Sequence, residues 1–128
     1  MSGGYPPSPE LRGVELKLVA LAAICAALVV PAAVASTPTL TGTVGPGFTI
    51  TLTKGGAKVT KLTAGTYTVK VSDKSAIHNF RLKGPGVNKT TSVAGKGAST
   101  WTVTLKKGTY TYVCDPHATI MKGTFTVV

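Results

Sequence analysis

Beyond residue 40 the chain alternates apolar and polar side chains. In "FTITLT" (Phe48–Thr53), Phe48, Ile50 and Leu52 fall on one face and three threonines on the other. "YTVKV" (Tyr67–Val71) keeps the period, and "TWTVTL" (Thr100–Leu105) puts Trp101, Val103 and Leu105 in register. "TYTYVC" and "TFTVV" carry the pattern to the C-terminus. A period of two, in short runs rich in β-branched and aromatic residues, predicts strands with one buried face. The interruptions are turn-formers: Gly45-Pro46-Gly47, Gly55-Gly56, Ala64-Gly65, Gly84-Pro85-Gly86, Gly95-Lys96-Gly97 and Lys107-Gly108. Strands separated by such turns at roughly 8–12 residue intervals predict an all-β sandwich or barrel of about seven strands. No amphipathic helix is expected in this part of the chain.

The N-terminal third follows a different rule. "LVALAAICAALVVPAAVA" (Leu18–Ala35) carries no charge, with Arg12 and Lys17 just before it. Leu18–Val30 has the length of a signal-peptide apolar region, Pro31 ends it, and Ala33-Val34-Ala35 offers the small residues a signal peptidase reads. Residues 1–35 are therefore expected to be a signal peptide cleaved after Ala35. An uncleaved membrane anchor through residues 18–35 is the alternative, since the run is long enough to serve. Glu10 and Glu15 offset the two basic residues, and Ile24 is too bulky for lipid attachment at Cys25. Either way the remainder is expected to be exported, to the periplasm or the exterior. Residues 36–39 read as a short tether and 40–128 as the folded domain, large enough for a small sandwich with a modest core.

Because the four charges of the leader cancel, the whole net charge of +10 falls on this domain. Such a surface attracts anionic partners in a salt-dependent way. A solvated lysine-rich face is the plainer account of the same charge. Asn88-Lys89-Thr90 also matches a glycosylation acceptor.

Cysteine usage is more pointed. Of the two cysteines, Cys25 lies in the leader and Cys114 stands alone in the domain. A single cysteine cannot close an internal disulfide, and in an oxidising compartment a bare thiol is a liability. A metal bond would protect it. Three further candidate ligands accompany it: His78, His117 and Met121. These include both histidines of the chain and its one methionine besides the start. Cys114, His117 and Met121 share one loop as C-x2-H-x3-M, while His78 begins a predicted strand in "SAIHNF". At one end of a sandwich, a strand start and a strand-connecting loop meet. Taken singly, Cys114 reads as a small hydrophobe, His117 as a turn residue, Met121 as core filler and His78 as a strand-end hydrogen-bonder. Together they form a set. Zinc takes thiolate and imidazole but gains little from a thioether. Two histidines and a cysteine with a weak axial methionine make the blue-copper arrangement, whose chemistry is electron transfer.

At these residues the chain resembles the cupredoxins, in particular their plastocyanin-like branch. The resemblance rests on "GTYTYVCDPHATIMKGTFTV" (Gly108–Val127) with "HNF" (His78–Phe80). It implies an eight-stranded Greek-key β-sandwich binding one copper ion through His78, Cys114, His117 and Met121. It also implies that the Asn79 side chain ties the two ligand-bearing segments together and that its backbone N–H reaches the cysteine sulfur. Pro116, having no N–H, withholds one hydrogen bond from the thiolate, which tunes the potential. Tyr110 and Tyr112 share strand parity with Cys114 and are expected to point into the sandwich, as is Phe80, which shares parity with His78. The chain departs from plastocyanins in three ways. The last histidine and methionine stand one residue closer together, Val113 replaces an aromatic residue at a partner-facing position, and acidic surface patches are missing.

The function expected from this set is a one-electron carrier cycling Cu(I) and Cu(II), not an enzyme. Copper storage or delivery by the same ligands is the alternative. A Cys114–His117 nucleophile pair would share one short loop with nothing to orient the histidine, and the chain has no further histidines for additional copper centres. A metal-free module binding anionic polymers leaves the ligand coincidence unexplained. The expected partners are redox proteins of acidic surface, not nucleic acid, and the expected state is a monomer.

Overall fold

The computed structural model describes residues 3–4 and 26–128. Most of the expected leader therefore lies outside the described residues. Residues 26–38 have no regular structure, and among the described residues no helix is long and apolar enough to cross a membrane. Residues up to Ala33 form a unit separate from Val34–Val128.

The second unit is a sandwich of two five-stranded sheets. Its strands are β1 (Thr39–Val44), β2 (Ile50–Lys54), β3 (Ala57–Lys58), β4 (Lys61–Leu62), β5 (Gly65–Asp73), β6 (Arg81–Gly84), β7 (Val87–Thr90), β8 (Gly97–Leu105), β9 (Gly108–Val113) and β10 (Lys122–Val127). The order is β3-β2-β1-β5-β8 in one sheet and β4-β10-β9-β6-β7 in the other. Both sheets are mixed, because β1 runs parallel to β5 and β4 parallel to β10. The expected all-β sandwich is therefore present, with ten strands where seven to eight were expected. The excess comes from β3 and β4, two residues each, which add to sheet edges. Segments this short carry no period of their own and exist because a neighbouring strand offers its hydrogen bonds.

Alternation decides which side chains are enclosed. On β5, Tyr67, Val69 and Val71 point inward, on β9 Tyr110 and Tyr112, and on β10 Phe125 and Val127, all buried. They meet Leu40, Val44, Leu52, Phe80, Leu82, Val103 and Leu105 in one cluster. Trp101 is half-buried and packs against this cluster. Phe48 breaks the expected register. It lies in the loop before β2, 57% exposed, and not in the core.

Two tyrosines owe their places to glycines. The ring of Tyr110 lies over Gly84 and that of Tyr112 over Gly123, where an added Cβ would sit 2.3 Å and 2.1 Å from ring atoms. The Tyr110 hydroxyl accepts from the Lys106 N–H (2.9 Å) and reaches the carbonyl of Pro85 (2.9 Å), closing the end of the sandwich opposite Cys114. Tyr110 also stacks on Phe125, with centroids 5.4 Å apart. The expected outcome for Gly84→Val is a loss of about 1–3 kcal/mol from overpacking, read by denaturant unfolding of the metal-free chain. Gly47→Ala is the control. It meets no atom within 4 Å and is expected to change stability by less than about 0.5 kcal/mol.

Candidate metal centre

One end of the sandwich gathers the chain between β9 and β10, the segment before β6, and the turn between β1 and β2. After β9, Cys114 is followed by a single 3-10 turn, Asp115–His117, with Pro116 in its first positions. The main chain then closes on itself. His117 N–H donates to the Cys114 carbonyl (3.1 Å), Ile120 and Met121 N–H to that of His117 (3.1 and 2.8 Å), and Cys114 N–H to that of Met121 (3.0 Å). These bonds fix where Cys114, His117 and Met121 leave the backbone.

Three ligand atoms converge there. His78 Nδ1 and His117 Nδ1 are 3.0 Å apart, and each lies 3.6 Å from Cys114 Sγ. His78, Cys114 and His117 are the residues among those described that could hold a metal ion together. The centre of a triangle with these sides lies about 2 Å from each corner, a metal–nitrogen bond length. Cys114 and His78 are fully buried and His117 partly so. Met121, also buried, stands at the end of the same loop. His78 Nε2 is enclosed without a partner among the described residues. An ion at Nδ1 would leave the imidazole's one proton on that nitrogen.

The first histidine is held by a carboxylate. Asp73, at the end of β5 and 4% exposed, accepts the Ser75 N–H at Oδ1 (3.1 Å) and the Thr91 hydroxyl at Oδ2 (3.1 Å). Thr91 Oγ1 in turn accepts the Phe80 N–H (2.9 Å), so both flanks of His78 are fastened. Gly45, at φ +73°, backs this segment. A Cβ there would lie 2.9 Å from that of Ser75 and 3.5 Å from His78 Cδ2. The turn that follows carries Phe48 over both imidazoles, edge-on, at 5.2 Å from His78 and 5.0 Å from His117.

A second carboxylate holds the loop. Asn79 Oδ1 accepts the Asp115 N–H (2.7 Å), while its Nδ2 donates to Asp115 Oδ2 (2.7 Å) and to Thr90 Oγ1 (3.0 Å). The tie expected of the Asn79 side chain is thus present. The other expected bond is not, since no backbone N–H of a described residue, that of Asn79 included, bonds the sulfur, whose neighbours are the two imidazole nitrogens. Arg81 donates Nε to both Asp115 oxygens (2.9 and 3.0 Å), its Nη2 is ion-paired with Oδ2 (2.9 Å), and its Nη1 donates to Asn88 Oδ1 (2.8 Å). The Arg81 guanidinium, helped by Asn79, keeps the Asp115 carboxyl below its ordinary range. The same bond raises Arg81. Asp73, Thr91, Asp115 and Arg81 were not anticipated, and neither was the place of Phe48. The one sequence signal was an acid set directly after the lone cysteine of a domain poor in acids.

Pro116, Ala118 and Ile120, all of them exposed, make the surface around His117 apolar. Phe48 and Ile77 enlarge it, both more than half exposed. Val113, expected at a partner-facing position, is buried.

The family profile for the cupredoxin-like domain matches residues 18–127. No curated protein sequence gives a significant match. Solved structures of the same fold include reduced rusticyanin, with 27% identity, a TM-score of 0.53, and coverage of 73% of this chain and 81% of that one. A further rusticyanin structure, described as that of a copper protein, has 23% identity, a TM-score of 0.54, and coverage of 73% and 80%. Reduced auracyanin from the photosynthetic bacterium Roseiflexus castenholzii has 21% identity, a TM-score of 0.51, and coverage of 73% and 98%.

The Asn79 tie is enclosed and the Arg81 tie half-open, which separates their expected costs. Asn79→Ala is expected to lower the stability of the metal-free chain by about 2 kcal/mol, because it removes three part-buried hydrogen bonds at once, two of them to Asp115. Arg81→Gln is expected to lose no more than about 1 kcal/mol. Equal losses in denaturant unfolding would contradict this division.

Proposed function

Since the chain belongs to the cupredoxin-like family, we propose that it is an exported blue (type 1) copper protein that carries one electron at a time. His78 Nδ1, His117 Nδ1 and Cys114 Sγ would hold the ion strongly and the Met121 thioether would hold it weakly. The observation that carries this reading is the convergence of two imidazole nitrogens and one sulfur within 3.0–3.6 Å. The donor set fits copper. Thiolate and thioether suit the reduced ion, and imidazole suits both oxidation states.

Bound copper would supply a couple between Cu(I) and Cu(II). The chain's own residues do the rest. Main-chain bonds across the loop and the Asn79–Asp115 tie keep the donors in place, so little need move when charge changes. Phe48 covers both imidazoles and shields them from water. The partly exposed edge of His117, within an apolar surface, gives a partner a short approach. Among the described residues one ion pair forms, Arg81–Asp115, so the lysines are left to steer acidic partners, an effect that weakens with salt. Copper storage or delivery by the same ligands is the second reading. The number of bonds that hold the loop favours a site that keeps its metal.

The test is addition of Cu(II) to the purified protein. The expected result is an intense blue thiolate-to-copper band and a reversible one-electron wave, and absence of both would refute the reading. Competitive transfer to a copper chelator separates carrier from donor, with retention over repeated redox cycles expected. Cys114→Ser is expected to abolish the colour while far-UV dichroism remains that of a β-sandwich. Met121→Leu is expected to keep copper and raise the potential, since loss of an axial donor disfavours Cu(II). An unchanged potential would remove Met121 from the ligand set.

A further inference from the structure

Each sheet ends in two strands that have a neighbour on one side only. Three of these four edges are short and carry a lysine. β3 and β4 have two residues each, with Lys58 and Lys61, and β7 has four, with Lys89. Short edges and lysines discourage the addition of another strand. β8 is built differently. It runs for nine residues, "GASTWTVTL" (Gly97–Leu105), with no charge and no proline.

All of β8 is in register with β5, from Gly97 opposite Asp73 to Leu105 opposite Gly65. In an antiparallel ladder every second residue turns its N–H and C=O away from the partner. Beyond that ladder, no main-chain bond among the described residues reaches β8. Its outer side therefore offers donors and acceptors in pairs about 7 Å apart, a spacing that another strand matches. Beside β8 the two sheets part. A cavity of about 420 Å³ lies between β7 and the second half of β8, and a smaller one, about 160 Å³, adjoins its start. The basic side chains here are Lys89, Lys96 and Lys106, followed by Lys107, all exposed. The one acid, Asp73, is buried and already bonded to Ser75 and Thr91.

We propose that β8 is a docking edge for a partner protein, which adds an extended acidic segment to this five-stranded sheet as a further strand. Main-chain bonds to the outer side of β8 hold the segment, and its side chains settle which segment fits. Its carboxylates lie toward Lys96 at one end and toward Lys106 and Lys107 at the other. A second copy of this chain suits the edge less well. Antiparallel pairing of two β8 strands sets Lys96 of one copy beside Lys106 and Lys107 of the other, and each copy carries a net charge of +10. Such like-charge meetings disfavour a partner. A nucleic acid supplies negative charge but not the row of main-chain donors and acceptors. None of these residues is a candidate metal ligand, so this reading and the carrier reading fail separately.

Trp101, the one tryptophan of the chain, lies on this strand and serves as the reporter. The probe is an acetylated and amidated peptide, Glu-Glu-Thr-Val-Thr-Val-Thr-Glu-Glu, titrated into the full chain at constant ionic strength. A saturable change in Trp101 emission is expected, together with slowed amide exchange at alternate residues of β8 and at none of β3 or β7. The same peptide methylated on the main-chain nitrogens of its core keeps its charge and is expected not to bind. The triple variant Lys96→Gln/Lys106→Gln/Lys107→Gln is expected to weaken binding of the unmethylated peptide about threefold to tenfold and to flatten its salt dependence. The proposal falls if the methylated peptide binds as tightly as the parent peptide, since lysines alone would then account for binding. It falls equally if exchange at β8 is unchanged, or if the chain without peptide sediments as a dimer with those amides protected.

Discussion

Three lone pairs aimed at one point repel one another unless something positive sits between them. Two imidazole nitrogens 3.0 Å apart can share one proton, but the sulfur 3.6 Å from each is then left facing donors it cannot fully use. The arrangement is tolerated because the backbone imposes it. Cys114, His117 and Met121 are fixed by bonds within one loop, and His78 by the segment between β5 and β6. The rest of the sandwich acts as the frame that keeps those two segments together, with Phe80 and Tyr112 stacked beneath them.

That frame uses the domain's acids in a particular way. Only Asp73 and Asp115 occur after residue 35, and each fastens one ligand-bearing segment. Asp73 organises the residues around His78, and Asp115 joins the cysteine loop to Asn79 and Arg81. A carboxylate directly after Cys114 would by itself favour the more oxidised metal and lower the potential. Arg81 pairs with that carboxylate, so the tie is made by a neutral ion pair and not by a lone charge beside the sulfur. With Asp73 buried and Asp115 paired to Arg81, neither acid is left free to balance the lysines. The basic charge and the ordered site are then two results of one allocation.

Much of this was legible along the chain. Strict alternation placed Tyr67, Tyr110, Tyr112 and Phe125 inward, because a strand with one buried face has no other way to sort them. The meeting of His78, Cys114 and His117 was legible because so few soft donors occur and two of the three share a loop. What stayed hidden depends on contacts between distant residues. Arg81 meets Asp115 across 34 positions, and no local pattern announces such a pair. Phe48 continued the alternation of β2, but Gly45-Pro46-Gly47 turns the chain before the ladder begins, so the phenylalanine leaves the core for the imidazoles. β3 and β4 were invisible for a related reason, since their partners define them and their own residues do not.

The same bonds bear on what kind of copper protein this sequence can make. A delivery site must let its ligands part, and a redox site must keep them where both oxidation states accept them. Here, opening the loop at His117 would break main-chain bonds to Cys114 and Met121 and disturb the Asp115 hub, including its part-buried contact with Asn79. Each such bond adds about 1 kcal/mol to the cost of opening, and several must break together. A loop held in this way would slow release and limit rearrangement when charge changes, and both consequences favour the proposed carrier over the delivery reading.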